Sequence, residues 1–257
     1  MKNFIIFLFS IAVAACNTTK NSTAKKEDEK KQATFVESMQ QKQAEGIDLF
    51  ARGSVPSSWT LEIDFDKIIR FRSLDGADYK STAVNPVYTG NNTATFTTRA
   101  GMGNMVITLL NDGCTDALSG DKFNKKVTVD VDGKRYEGCG QYLVNETLNG
   151  KWILEKVSSI AVLAADFSKG LPELSFDLSG GSISGHDGCN HVNGSIEVQG
   201  SRIKFSALAG TKMACPGNKK ENEFLHKLSS QVVTYYFSNG QLVLYLNDDS
   251  TIAFKKN

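Results

Sequence analysis

Gly185-His186-Asp187-Gly188-Cys189-Asn190-His191 opens a stretch that ends, after two short β-type runs, at Thr211-Lys212-Met213-Ala214-Cys215. The two runs flank a glycine-containing turn, which predicts a β-hairpin. The histidines, aspartate and cysteine suggest a zinc or copper site. However, two histidines five residues apart around a turn do not set tetrahedral geometry. We therefore expect a structural turn and no metal, with His186, Asp187 and His191 as weak candidates.

The composition favours a turn-rich β protein. The chain has 257 residues, 22 glycines and four prolines, a length for one large domain or two small ones. Its net charge of +1 gives no electrostatic reason to expect nucleic acid as a partner. Three histidines and the lack of a nucleophile-elbow motif give little support for nucleophilic catalysis, so we expect no enzyme activity and no cofactor.

The N-terminus predicts export. A short leader containing Lys2 precedes the apolar run from Phe4 to Val13, which is too short to span a bilayer. Residues 1–15 are therefore expected to be a signal peptide. Val13-Ala14-Ala15-Cys16 resembles the bacterial lipobox, which implies a lipid on Cys16 and cleavage before it. The alternative is a secreted protein without an anchor. The lipobox reading predicts a cell-envelope lipoprotein, with the outer membrane favoured over the inner.

The remaining four cysteines are Cys114, Cys139, Cys189 and Cys215. Exported proteins retain disulfides, and four cysteines allow three pairings. Pairing Cys114 with Cys139 and Cys189 with Cys215 places one bridge in each half of the chain. The alternative is that one or both pairs remain free thiols.

Three segments follow the signal peptide. Residues 16–45 are polar and are expected to form a flexible tether, with a frayed helix over Lys30–Glu45 as the alternative. Residues 46–145 contain strand patterns such as the alternating run from Trp59 to Phe65. Residues 146–257 contain further strand patterns and one helical pattern. The chain is therefore predicted to be mainly β, with two small antiparallel β-barrel-like domains in tandem, the second with one α-helix.

The helix of the second domain is predicted from a capping-box pattern. Asn218 precedes Glu221 by three residues, which is typical of a helix N-terminus. The apolar residues expected on one face of this helix are Phe224, Leu225, Leu228 and Val232.

The second domain resembles the META family, also called HslJ-like, which is known from bacterial envelope lipoproteins and heat-inducible proteins. The matching residues include Leu148-Asn149-Gly150-Lys151-Trp152, Gly188-Cys189-Asn190, Thr211, Met213, Cys215 and Asn239-Gly240-Gln241-Leu242-Val243-Leu244. The resemblance implies a small β-barrel-like fold with one helix and a role in envelope function or stress resistance. It implies a turn at Gly188-Cys189-Asn190 and carries over no catalytic residues.

The first domain loosely resembles a small exported β domain of bacterial lipoproteins. The residues concerned are Gly53 through Trp59, Cys114-Thr115-Asp116-Ala117-Leu118-Ser119 and Gly138-Cys139-Gly140, although the Glu and Phe usual between the Gly and the Trp are missing. The expected function is non-catalytic binding of an envelope protein or small ligand by a membrane-anchored monomer. The alternatives are an inhibitor of lysozyme or another hydrolase, and a metal-binding lipoprotein or metal-assisted hydrolase.

Overall fold

The computed structural model describes residues 19–90, 92–215 and 223–257, with side chains from residue 30 onward except those of residues 223 and 224. The chain divides into two compact units, Met1–Ser38 and Met39–Asn257. The predicted signal peptide, Cys16 and the capping pair Asn218 and Glu221 lie outside the described residues. Within the described ranges, no helix combines the length and the apolar character that crossing a bilayer requires.

A helix, α1 (Thr19–Ala44), occupies most of the segment that was expected to be a flexible tether. The physical reason is composition, because the segment is rich in Ala, Lys, Glu and Gln and contains neither Gly nor Pro. The helix ends at Ala44, and Gly46 follows with a φ of +88°, the left-handed conformation usual after a helix C-terminus. The amide of Ile47 then donates to the carbonyl of Lys42 at 3.1 Å, and the amide of Gly46 donates to the carbonyl of Gln43 at 3.0 Å.

The first sheet has nine antiparallel strands in the order β4-β3-β2-β1-β11-β10-β7-β6-β5. It curls, so that β4 also approaches β6. Two short strands, β8 and β9, pair separately as a ribbon. The strands are β1 (Leu49–Val55), β2 (Trp59–Asp64), β3 (Ile68–Ser73), β4 (Asp78–Thr82), β5 (Val87–Thr89), β6 (Thr93–Ala100), β7 (Gly103–Leu110), β8 (Cys114–Thr115), β9 (Lys122–Phe123), β10 (Lys125–Val131) and β11 (Lys134–Tyr142).

The second sheet is also antiparallel and closes on itself. Its order is β13-β12-β14-β15-β16-β17-β19-β20-β21, and β12 also pairs with β21. Its elements are β12 (Gly150–Val157), β13 (Ile160–Ala161), β14 (Glu173–Asp177), β15 (Ser182–His186), β16 (His191–Gln199), β17 (Arg202–Phe205), β18 (Ala209–Gly210), α2 (Glu223–Leu228), β19 (Val232–Ser238), β20 (Gln241–Tyr245) and β21 (Thr251–Lys256), with 3-10 helices at Glu146–Leu148 and Ala164–Asp166.

Each sheet encloses its own apolar core. In the first, the alternating residues Trp59, Leu61 and Ile63 are buried together, as their pattern predicts. In the second, the core includes Trp152 and Phe254, which lie on the two strands that close the sheet. The prediction of a mainly β chain with two antiparallel sheets, the second accompanied by a helix, is confirmed.

Helix α2 is shorter than its apolar pattern predicts. Leu225 and Leu228 are buried as expected, but Val232 begins β19 and is exposed, so its assignment to the helix is wrong. The chain leaves the helix at Ser230, whose φ is +60°. A left-handed residue cannot continue a right-handed helix, and the strand period therefore takes over at Val232.

The hairpin of β16 and β17 joins the second sheet to the first. Its turn contains Gly200, with φ +62°, and Ser201, a pattern typical of a type II′ hairpin turn. The amide of Ser201 donates to Asp48 Oδ1 at 2.7 Å, and the amide of Phe65 donates to Asp48 Oδ2 at 2.6 Å. Asp48 is buried, and burial raises the pKa of its carboxyl above the ordinary value. One carboxylate thus bonds backbone from both sheets.

Candidate functional site

The predicted turn connects β15 to β16. His186 and His191 are directly opposite each other in the strand register, so residues 187–190 form a tight loop between them. Asp187 is 1% exposed, and its Oδ1 accepts hydrogen bonds from the amides of Cys189 at 2.9 Å and Asn190 at 2.6 Å. An aspartate that bonds the amides two and three residues ahead stabilises a turn. The loop is therefore organised by a buried carboxylate.

The three weak metal candidates have different environments. Asp187 Oδ1 is occupied by the two turn amides, and His186 Nδ1 accepts the amide of Gly188 at 3.2 Å. His191 is exposed. Across residues 19–90, 92–215 and 223–257, no group of three or more His, Cys, Asp or Glu side chains is placed to hold a metal ion. The side chains of Asp187 and His186 therefore accept hydrogen bonds from backbone amides of the loop.

Asn190 connects the turn to the second end of the stretch. Its Oδ1 accepts the amide of Met213 at 2.8 Å and the hydroxyl of Thr211 at 3.2 Å. Asn190 therefore bonds the backbone of the 211–215 segment and not that of its own turn. Thr211 also accepts the amide of His191 at 3.1 Å. The two ends of the stretch are therefore joined by side-chain hydrogen bonds.

The Cys189–Cys215 pair links the same two segments. The Cα atoms are 6.2 Å apart and the sulfurs are paired as a disulfide. Cys189 is 3% exposed. Gly188, with φ +96°, precedes it, and a Cβ on Gly188 would lie 2.5 Å from the ring of Phe167. The predicted pairing is confirmed, and glycine is required before the cysteine by both backbone conformation and space.

The Cys114–Cys139 pair is also confirmed, with Cα atoms 5.5 Å apart. It ties the β8–β9 ribbon to β11 of the first sheet. Arg52 of β1 makes a second tie, because its guanidinium pairs with Asp116 at 3.0 Å and with Asp121. Sequence reasoning missed Arg52, since its partners lie more than sixty residues away and no local pattern marks them.

The glycines beside Cys139 permit close contact between β1 and β11. Gly53 and Gly138 are paired in the register. A Cβ on Gly53 would lie 2.2 Å from the carbonyl oxygen of Glu137, and one on Gly138 would lie 2.1 Å from that of Arg52. These glycines therefore allow the two strands to approach, which is a packing role and not a chemical one.

The geometry of residues 145–257 defines a class: a small, closed antiparallel β domain with a short helix and a cysteine-linked turn. The META domain family model matches residues 145–257, so this part of the chain is a META domain. The resemblance found in the sequence is confirmed. The match does not extend to the first sheet, whose resemblance to an exported lipoprotein domain stays a prediction.

Solved structures add two likenesses. A protein from Burkholderia xenovorans, solved by NMR, is 26% identical over 44% of this chain and 85% of its own, with a TM-score of 0.36. A DUF4847 family protein from Bacteroides vulgatus is 15% identical over 43% of this chain and 94% of its own, with a TM-score of 0.32. TM-scores below 0.5 leave the family model as the basis of the assignment. Among curated proteins, none matches the chain.

Proposed function

We propose that the protein is a non-catalytic lipoprotein of the cell envelope, held to a bacterial membrane through Cys16, that acts by binding a protein or a small ligand. Its role would be envelope homeostasis or stress tolerance. The observation that carries this proposal is the META domain at residues 145–257, whose most chemistry-like loop uses Asp187 and Asn190 to bond backbone. Because these side chains bond backbone amides, they favour a structural role for the loop over a catalytic one.

Anchoring through Cys16 is supported by the lipobox-like sequence that ends at this residue. Two or more acyl chains would make the association stable, since each buried CH₂ contributes about 0.8 kcal/mol. In a fractionation experiment, the wild-type chain is expected with membranes and Cys16→Ser in the soluble exported fraction. Membrane retention of Cys16→Ser would contradict the anchor.

The binding role is tested by affinity capture with the lipidated protein in its native envelope. A partner that co-purifies in fixed ratio with the wild-type chain, and not with an unrelated lipoprotein of equal abundance, is the expected result.

Metal analysis of untagged protein provides the opposing test. Stoichiometric zinc or copper that disappears in His191→Ala would overturn the structural reading of the turn and favour the metal-dependent alternative.

A further inference from the structure

A polar pocket of about 210 Å³ lies where the outer face of the β16–β17 hairpin meets the first sheet. The first sheet contributes Tyr88, Asn111, Lys125 and Tyr142 to its lining, and the hairpin contributes Glu197 and Lys204. Small-molecule sites are concave and contain a few convergent polar groups, as this pocket does. The pocket is separate from the cysteine-linked turn at residues 187–190.

The junction around the pocket is built from specific contacts. The hydroxyl of Tyr88 donates to Gln199 Oε1 at 2.7 Å, and Arg202 Nη1 donates to Asn85 Oδ1 at 3.0 Å. The guanidinium of Arg202 also lies 4.9 Å from the ring centre of Phe65. These contacts hold the hairpin against the first sheet, so the pocket walls are positioned before any ligand arrives.

Lys125 is the unusual group in this pocket. It is 6% exposed, and within residues 19–90, 92–215 and 223–257 its ammonium donates to one acceptor, Asn111 Oδ1, at 2.8 Å. It also lies 4.7 Å from the ring centre of Tyr142. Among the described residues, no carboxylate forms an ion pair with it, and burial lowers the pKa of its ammonium. A lysine has three N–H donors, and a buried charge is costly unless its donors are bonded.

One acidic side chain acts on Lys125, because the charge of Glu197 partly offsets the lowering of the Lys125 pKa by burial. Glu197 lines the pocket but is exposed and lies directly opposite Lys204 in the strand register. Lys204 in turn places its ammonium 5.6 Å from the ring centre of Tyr88. The pocket therefore contains two ammonium groups and one carboxylate, which leaves an excess of positive charge at its base.

Among the described residues, a second donor without an acceptor belongs to Gln199, which bonds the pocket-lining Tyr88. Gln199 is 4% exposed, and its Oε1 is bonded by Tyr88. Within the part of the chain that the structure describes, its Nε2 has no hydrogen-bond partner. Buried donors in native proteins are nearly always bonded, so the under-bonded ammonium of Lys125 in the pocket indicates a missing acceptor.

We infer that this pocket binds the oxyanion, carboxylate or phosphate, of a small polar molecule, with the Lys125 ammonium as the main contact and Lys204 at the rim. Charge-assisted hydrogen bonds of this kind are about twice as strong as neutral ones. The inference rests on the proposed binding role and specifies its ligand. It requires neither the lipid anchor nor a protein partner.

The test uses the full exported chain and two probes, inorganic phosphate and acetate, titrated by NMR chemical-shift changes of residues around the pocket. At least one probe is expected to bind wild type, and Lys125→Met is expected to weaken that binding about tenfold or more, the loss of one charge-assisted bond. The probe that binds identifies the source of the oxyanion. Binding of neither probe, or equal binding by Lys125→Met, would overturn the inference.

Two variants guard against indirect effects. Lys126→Met changes the next residue, which is exposed and pairs with Asp112, and it should bind as wild type does. Lys204→Met alters the rim and should weaken binding less than Lys125→Met. Equal loss in Lys126→Met would show a general charge effect and overturn the site. Retention of Cys16→Ser on membranes would contradict the lipid anchor. It would not change the result of the anion titration.

Discussion

Asp48 and Asp187 are both buried aspartates that accept two backbone amides, but they act over different distances along the chain. Asp187 bonds the amides two and three residues ahead and organises its own turn. Asp48 bonds amides 17 and 153 residues ahead and joins two sheets. The turn around Asp187 also has a disulfide, whereas the Asp48 junction depends on non-covalent contacts. The same side-chain chemistry therefore stabilises local structure at one site and the packing of two sheets at the other.

The largest expected loss of stability comes from removing the Cys189–Cys215 disulfide at the Asp187 turn. Replacing Cys189 and Cys215 together by Ser should lower the free energy of unfolding by about 3 kcal/mol, because the unfolded chain regains the freedom of a closed loop. Urea denaturation measures this loss. The amide of Asn190 should keep its hydrogen-exchange protection relative to the whole domain, since Asp187 still accepts it. Selective loss of that protection would show that the bridge forms the turn.

The matched control is the other cysteine pair. Cys114 and Cys139 are separated by 25 residues, against 26 for the first pair, so the chain-entropy cost of removing either bridge is nearly equal. A much smaller loss in the Cys114→Ser, Cys139→Ser protein would indicate that the Arg52 contacts hold the ribbon without the bridge.

The next largest effect concerns the close contact at Asp48. Gly200→Ala should cost about 2–3 kcal/mol, of which about 1 kcal/mol reflects a positive φ and the remainder overpacking. The added Cβ would lie 2.3 Å from Asp48 Cβ. Gly240→Ala is the control, because its φ of +76° is similar and nothing lies within 4 Å of its added Cβ. Equal losses of unfolding free energy in the two variants would rule out the steric contribution.

Removing the bridging carboxylate has a somewhat smaller expected cost. Asp48→Ala should lower the free energy of unfolding by about 2 kcal/mol, since two amides lose their hydrogen-bond acceptor. Hydrogen exchange should accelerate at both Phe65 and Ser201. Asp66→Ala, at a side chain that is 65% exposed, should change stability by less than about 0.5 kcal/mol. Faster exchange at only one of the two amides would contradict the bridging role.

The smallest effect is in the pH dependence. Burial, the main cause, raises the folded pKa of Asp48 above 3.8, so its stabilising contribution is complete below that pH and declines as pH rises through the folded pKa. The stability difference between wild type and Asp48→Asn should therefore shrink from acid to neutral pH. Urea midpoints of both proteins across that range measure it, and a difference that grows with pH would contradict the assignment.

Asp75 is expected to show the opposite dependence of stability on pH. A hydrogen bond from the Ser73 hydroxyl is the main cause that lowers its pKa to about 2. Its contribution is therefore present above 3.8 and is lost as pH falls toward 2. Asp75→Asn should reduce stability at neutral pH and lose that effect in acid, the reverse of the trend at Asp48.

Local patterns made much of this structure predictable. The alternation from Trp59 to Ile63 gave the buried face of β2, and the family resemblance implied the turn at Gly188-Cys189-Asn190. Four cysteines offered only three pairings, and the one with a bridge in each half is the pairing found. The family pattern in the second domain is confirmed at residues 145–257. Each of these signals depends on residues close together in the chain or on a repeated spacing.

The parts that sequence could not provide depend on distant contacts. Asp48 precedes a strand without any cap pattern, and its partner Ser201 belongs to the other sheet. Lys125 begins a strand with an ordinary alternating pattern, so its burial becomes evident only when β16 and β17 are placed beside it. The sequence pattern placed the end of α2 too late. Val232 continues the helical spacing of apolar residues, although the helix has already ended before Ser230.

Closure of the second sheet has a consequence for when this domain can fold. Strand β12 begins the ring, and its antiparallel partner β21 is the last strand of the described chain. Lys256 of β21 also bonds the carbonyl of Asn149 at 3.0 Å, ahead of β12. During synthesis the first sheet can pair as soon as β11 emerges, whereas the second sheet must wait for β21 before it can close. Folding of the two sheets is thereby ordered in time, from the N-terminal sheet to the C-terminal one.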